Sequence, residues 1–388
     1  MGAAKKNLKS GKLGFNGPKK RFGINYWRFY FKGIQNNGGT ECMFFIEFEM
    51  LNPWLYPSEP QLGFKPRIQI KEDDLQYALS GTSSAYELES EKIIQPSYVA
   101  VRAGRLDSCP KQITAYYPVK NCSFSTRPFE ICAGPGIFTE NELSGSLSLS
   151  EEECSKHPEY LCNAGEISWN LRYEVVKEFA EGFEDKTDKW FPAGIQTQIS
   201  GLITIDGEDY VVDEKKSNGY MDRFIGKSFP EPWFHISSSN LQSLISGKTL
   251  FNSNFVVQGL FEDKLSFIGS FEGSDIILLA DAPKRKYTSV WNCIESPEAD
   301  ENGDKTVHWS VSFNSKIWII DIDITCKVKA LYDRKLECPE GKRRILSIIQ
   351  SGTGIGEIKL YKKIKNDLEQ IEYARITNGI CEFGNIEE

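Results

Sequence analysis

Apolar and polar residues alternate with a period of two along most of this chain. Near the start, Trp27, Phe29 and Phe31 fall on one face, with Tyr26, Arg28, Tyr30 and Lys32 on the other. Asn36-Asn37-Gly38-Gly39 is a strong turn signal. Beyond it Phe44, Ile46, Phe48 and Met50 alternate with Phe45, Glu47 and Glu49, which predicts a hairpin. The same alternation predicts strands over 97–102, 115–119, 165–173 and 197–205, with Asp206-Gly207 as a second hairpin turn. Later strands are expected over 254–261, 265–271, 275–279, 320–330, 357–363 and 370–376. Helical signals are scarce. Ser150 with Glu153 fits a capping box opening a short helix of about two turns. The prolines of 52–66 and the acidic 283–305 region read as long loops.

This pattern predicts an all-β protein of two barrels or curled sheets. A basic arm over 1–20 is followed by one β domain over 21–177 and another over 190–388. The boundary is placed in the charge-rich segment Glu178 to Lys189, which lacks sheet periodicity. At 388 residues the chain is long enough for two domains with real cores.

Composition narrows the classes. A net charge of −8 argues against a nucleic-acid surface. The basic opening (Lys5, Lys6, Lys9, Lys12, Lys19, Lys20, Arg21) has no apolar core, so it is read as a solvated arm, with peripheral membrane contact through it left open. No stretch is apolar and long enough for a transmembrane helix. The ten cysteines include no C-x-x-C pair and are expected to be reduced thiols in a cytoplasmic protein. Cys154, His157 and Cys162 lack a fourth ligand at a typical zinc spacing, so no metal is expected. No cofactor motif is present: Gly352-x-Gly354-x-Gly356 precedes a strand rather than a helix and reads as a hairpin or bulge.

Candidate chemistry concentrates in Gly219–Leu241, which carries Tyr220, Asp222, His235 and the aromatics Phe224, Phe229, Trp233 and Phe234 around Gly226, Pro230 and Pro232. Alternation puts Trp233, His235 and Ser237 on one face, with Phe234 and Ile236 on the other. Asp222 among aromatic rings reads as a desolvated, protonated acid able to give a proton to an alkene or epoxide. Tyr220 would orient it and His235 would relay the proton. Trp233, Phe224, Phe229, Trp27, Phe29 and Phe31 would form the apolar wall, whose faces could stabilise a carbocation. Each has a plainer reading: an Asp222–Arg223 or Asp222–Lys227 surface pair, a packed histidine, and core aromatics.

The stretch also resembles the signature of the tocopherol cyclase-like family, relatives of carotenoid 1,2-hydratases and of other lipocalin-like two-barrel proteins. The resemblance lies in Tyr220-Met-Asp222, Gly226, Ser228-Phe229-Pro230, Trp233 and Asn240. It extends to Arg21-Phe22, to Tyr26 through Gly33, to Phe44 through Phe48 and to Glu166 through Leu171. Phe224-Ile225 stands where members usually have Asn-Trp, and His235 where many have Trp. The resemblance implies two lipocalin-like domains and an isoprenoid- or lipid-like ligand. Acid-assisted cyclisation, hydration or isomerisation without a cofactor would proceed through Asp222. A non-catalytic hydrophobic-ligand carrier is the competing expectation, and a protein whose pocket is filled by its own side chains is a third.

Overall fold

The structure, a computed structural model, describes residues 23–63 and 95–387, except 180–182, 185–187, 217, 262–263, 281–286, 298, 300–302 and 366. The basic arm and the later part of the proline-rich loop lie outside the described residues.

Strands dominate and form two large antiparallel sheets. The first contains β1 (Ile24–Gln35), β2 (Glu41–Leu51), β3 (Tyr98–Arg105), β4 (Lys111–Tyr117), β5 (Ser123–Thr126), β6 (Phe129–Ala133) and β7 (Gly136–Thr139). It continues with β8 (Glu142–Leu149), β9 (Gly165–Lys177), β10 (Phe183–Glu184), β11 (Lys189–Ile205), β12 (Glu208–Val212) and β13 (Gly219–Gly226). The second contains β14 (Trp233–Ser238), β15 (Leu241–Ser243), β16 (Asn254–Phe261), β17 (Lys264–Phe271), β18 (Ser274–Leu278) and β19 (Tyr287–Glu295). It is completed by β20 (Thr306–Ser315), β21 (Trp318–Lys327), β22 (Tyr332–Glu337), β23 (Ile345–Ile364) and β24 (Asp367–Glu387). The all-β, two-sheet architecture expected from the alternation is what the chain adopts.

Local signals act as expected. Asp206 and Gly207 take φ of 48° and 83°, the positive pair that a two-residue β11–β12 turn requires. In α1 (Glu151–Lys156), Ser150 Oγ accepts from the Glu153 N–H and the Glu153 carboxylate accepts from the Ser150 N–H. The Gly352–Gly356 run lies inside β23, whose register against β24 shifts at Gly354 and again at Gly356, a bulge rather than a phosphate loop.

Two expectations need correction. The sheets do not change at 178–189: β9 and β11 pair across that segment, from Ile167 opposite Ile205 to Lys177 opposite Gln196. The charges there mark a connection between paired strands. The change of sheet falls instead between β13 and β14, so the two halves of Gly219–Leu241 belong to different sheets. The 283–305 region is also not all loop. β19 runs through it, with Tyr287, Ser289, Trp291 and Cys293 less exposed than Thr288, Val290, Asn292 and Ile294. The flanking prolines and acidic run hid this period of two.

The first sheet packs Trp27, Phe29, Phe31, Phe44, Ile46 and Phe48 around Phe138, Trp169 and Met221. The second packs Phe234, Ile236, Phe267, Trp309, Phe313 and Ile322. It curls back on itself where Tyr287 Oη donates to the Leu265 carbonyl at 2.8 Å and the Leu265 N–H donates to Ser289 Oγ at 3.1 Å. A third apolar cluster draws on both sheets: Tyr26, Tyr30, Phe45, Tyr98, Trp190, Tyr220 and Phe224 from the first meet Trp233, Val256, Ile268, Leu346 and Ile380 from the second. This is the seam. At Gly352 the sheets approach so closely that a Cβ would lie 2.6 Å from Met43 Cβ.

Candidate functional site

The seam carries a row of charge. In β1 the even-numbered residues Tyr26, Arg28 and Tyr30 face it, as strand geometry dictates when Trp27, Phe29 and Phe31 turn into the first sheet's core. Residues directly opposite on neighbouring strands share a face. Arg28 stands opposite Asp222 on β13 and opposite Glu47 on β2, and Glu47 stands opposite Arg102 on β3. Four adjacent strands therefore bear negative, positive, negative and positive groups in one line. The second sheet answers with Gln258, His235, Glu382 and Gln350 on β16, β14, β24 and β23.

Arg28 is wholly buried and joins the two rows. Its Nε and Nη2 donate to Asp222 Oδ1 and Oδ2 at 3.2 and 2.8 Å. Nη1 donates to Glu382 Oε2 at 2.8 Å and Oε1 at 3.1 Å. Nη2 also reaches Gln258 Oε1 at 3.3 Å. The guanidinium lies 5.0–5.6 Å from the ring centres of Tyr26, Tyr30 and Trp233, a cation–π cage. Further donors converge on the carboxylates. Trp190 Nε1 and Tyr220 Oη donate to Asp222 Oδ2 at 3.0 and 2.9 Å. Trp233 Nε1 donates to Glu382 Oε2 at 2.7 Å, and Tyr30 Oη with Gln350 Nε2 serves Glu382 Oε1. A second buried group adjoins: Arg102 donates to Glu47 and Glu49 at 3.0 and 2.9 Å, and Arg334 of the other sheet donates to Glu47.

This geometry revises the protonated acid expected at position 222. A protonated carboxyl must donate, yet the Asp222 oxygens face two guanidinium N–H groups, an indole N–H and a phenol, the surroundings of a carboxylate. The Asp222–Arg223 surface pair is not formed either. Arg223 turns to the opposite face, 4.7 Å over the Trp27 ring, and donates to Asn25 Oδ1 at 3.1 Å. Burial raises the Glu382 carboxyl, but Arg28, then His235 and Arg334, outweigh it and hold the group down at about 2. Burial, with Arg28 adding to it, pushes His235 down to about 4, against the pull of Glu382 and Asp222. His235 is therefore a neutral imidazole at ordinary pH.

The structure brings Asp222, Tyr220, His235, Trp233, Phe224 and Phe229 to the seam. Phe224 stacks on Tyr26 at 5.6 Å, and Phe229 meets Trp233 edge-on at 6.0 Å. It does not bring Trp27, Phe29 and Phe31 there. They pack inside the first sheet against Phe129, Phe138, Tyr173 and Phe44, because odd and even residues of β1 point opposite ways. Arg28, Glu382, Tyr30, Trp190, Gln258 and Gln350 were not singled out from sequence. The available signal was a charged residue inside an apolar alternating strand: Arg28 between Tyr26 and Tyr30, Glu382 between Cys381 and Phe383.

A cleft enters the seam beside this cluster. Its walls include Tyr30, Met43, Ile195, Tyr220, Phe255 and Ile380, with Ser237 between them and Asn218, Asn240 and Asn378 nearby. Its interior of about 20 Å³ has room for about one water molecule. It touches the rings of Tyr220 and of Tyr30, from the Trp27–Phe31 strand, but not Asp222, His235 or Trp233, so the aromatic wall expected around the acid is met only at those two phenols. Among the described residues no group of His, Cys, Asp and Glu could hold a metal ion. No helix among them is long and apolar enough to cross a membrane.

No protein-family model matches the chain, and no curated protein does. The tocopherol cyclase-like resemblance therefore rests on the motifs quoted above. Solved structures similar to this chain include two at 11% identity and a TM-score of 0.41. One, from Nitrosomonas europaea, is assigned as AttH; the match covers 95% of this chain and 96% of that one. The other is kievitone hydratase from Nectria haematococca, with 97% and 95% covered. Likenesses this remote leave the chemistry to the residues themselves.

Proposed function

We propose that this protein binds a hydrophobic small molecule in the cleft between its two sheets. The observation that carries the reading is the cleft's make-up. Apolar walls from both sheets end on two phenols that are bonded to the buried charge cluster, and polar amides stand alongside, the mixture typical of small-ligand sites. A structural role alone accounts poorly for the cluster, since apolar residues of similar volume generally stabilise a buried seam as well as an ion-pair network does. The ligand's apolar body would lie along Met43, Ile195, Phe255 and Ile380. A polar end would reach Tyr30 and Tyr220. Because the cleft holds about one water, binding requires the seam to widen there.

Acid-assisted turnover through Asp222 is the weaker reading. A carboxylate held by Arg28 has no proton to give, and the cleft does not touch Asp222.

Trp190 and Trp233 donate to the two carboxylates, so their fluorescence reports on the seam. Titration with an isoprenoid alcohol such as geranylgeraniol is expected to quench it saturably, and Ser239→Phe, at a residue that also lines the cleft, is expected to remove the effect. Saturable quenching that persists unchanged in Ser239→Phe would refute the cleft as the binding site.

A further inference from the structure

The cleft wall includes one side chain whose neighbours are arranged as a nucleophile's would be. Ser237 Oγ lies 2.9 Å from His235 Nε2, and His235 Nδ1 lies 2.5 Å from Gln258 Oε1. The proton positions follow from the third partner. Gln258 Oε1 also receives Arg28 Nη2 at 3.3 Å, which only the amide oxygen can do. That oxygen has no hydrogen to offer, so His235 must carry its own on Nδ1. Nε2 is then bare and accepts from the Ser237 hydroxyl. A serine on a neutral imidazole, itself oriented from behind by a side-chain oxygen, is the general pattern of an activated hydroxyl.

Placement agrees with this. Ser237 forms part of the cleft wall, whereas His235 is wholly buried behind it and outside the lining. Both sit on β14, and Gln258 sits opposite His235 on β16, so rigid strands set the geometry. Glu382, opposite His235 on its other side, offers a fixed negative charge to an imidazolium as it forms, while burial and Arg28 oppose that charge and keep the resting ring neutral.

We propose that Ser237 is a nucleophile with His235 as its general base, acting on an apolar molecule that carries an ester or comparably activated acyl group. The inference rests on the cleft as the binding site and names the class of ligand. Ser237 Oγ bonds to the acyl carbon while its proton passes to His235 Nε2. The bond from acyl carbon to leaving oxygen breaks, and that oxygen takes the proton from Nε2. Water then attacks the acyl-serine by the same proton route, giving acid and alcohol and restoring both residues.

The test treats the full-length protein with an alkyl fluorophosphonate and reads intact mass and the modified peptide. One adduct is expected, mapped to Ser237 in the unaltered protein, so this readout does not depend on a variant folding. In Ser237→Ala the adduct and the hydrolysis of p-nitrophenyl butyrate are both expected to fall at least about a hundredfold. No adduct, or an adduct on Ser238 or Ser239 instead, overturns the nucleophile. The cleft reading fails separately, when quenching is absent or survives Ser239→Phe.

Discussion

Arg28 and Glu382 lie 354 positions apart in the chain and meet at 2.8 Å with both side chains fully buried. Arg28 also faces Asp222 across β1 and β13, so one guanidinium closes a pair within its own sheet and a second pair across the seam. Burying three ionised groups is costly, and their attraction offsets that cost only while every partner is present.

Removing Arg28 should therefore be severe. Arg28→Met leaves two buried carboxylates without their cation, and urea unfolding is expected to show a loss of about 3–5 kcal/mol. Arg28→Lys should recover only part of it, because an ammonium cannot present the planar fork that both carboxylates engage. A loss below about 1 kcal/mol in Arg28→Met would mean that the pairs contribute little.

Asp222→Asn separates a carboxylate from a protonated acid. An amide mimics the neutral acid, so a protonated Asp222 would tolerate the change. Against Arg28, Trp190 and Tyr220, all donors, the new NH₂ group meets donors with a donor. A loss of about 2–3 kcal/mol in urea is expected from the unsatisfied groups. An unchanged midpoint would restore the protonated acid.

Stability should fall in two stages on acidification. His235 titrates near 4 in the folded protein against an ordinary 6.5, so between those values only the unfolded chain takes up the proton. The loss runs from about pH 6.5 down to 4, at a slope of at most about 1.4 kcal/mol per pH unit. Glu382, at about 2 against 4.5, adds a second loss from about pH 4.5 down to 2. Urea midpoints measured across pH in His235→Gln should lack the first stage and keep the second.

The two faces of β1 should separate stability from binding. Trp27→Ala empties part of the first sheet's core and is expected to cost about 3–5 kcal/mol while leaving ligand quenching intact once folded. Tyr30→Phe keeps the ring but removes the hydroxyl bonded to Glu382 at the cleft wall. It is expected to weaken ligand binding about tenfold with a far smaller loss of stability. Equal effects of both on binding would contradict the division of faces.

Much of this was legible in the chain itself. The alternation of β1 and β2, the Asp206-Gly207 turn, the Ser150 capping box and the shared face of Trp233, His235 and Ser237 are relations among residues a few positions apart, set by backbone geometry alone. The sequence also gathered Tyr220, Asp222 and His235 into one stretch. What it left open was which sheet each half of that stretch joins, and what stands opposite each residue. Arg28 meets Glu382, and Arg334 meets Glu47, only because strand order, register and the packing of one sheet on the other bring distant strands face to face. These pairings also set the donors of Arg28, Trp190 and Tyr220 against the Asp222 carboxyl and place Gln258 Oε1 beside His235 Nδ1. A side chain's protonation depends on its partners, and the partners come from the far end of the chain.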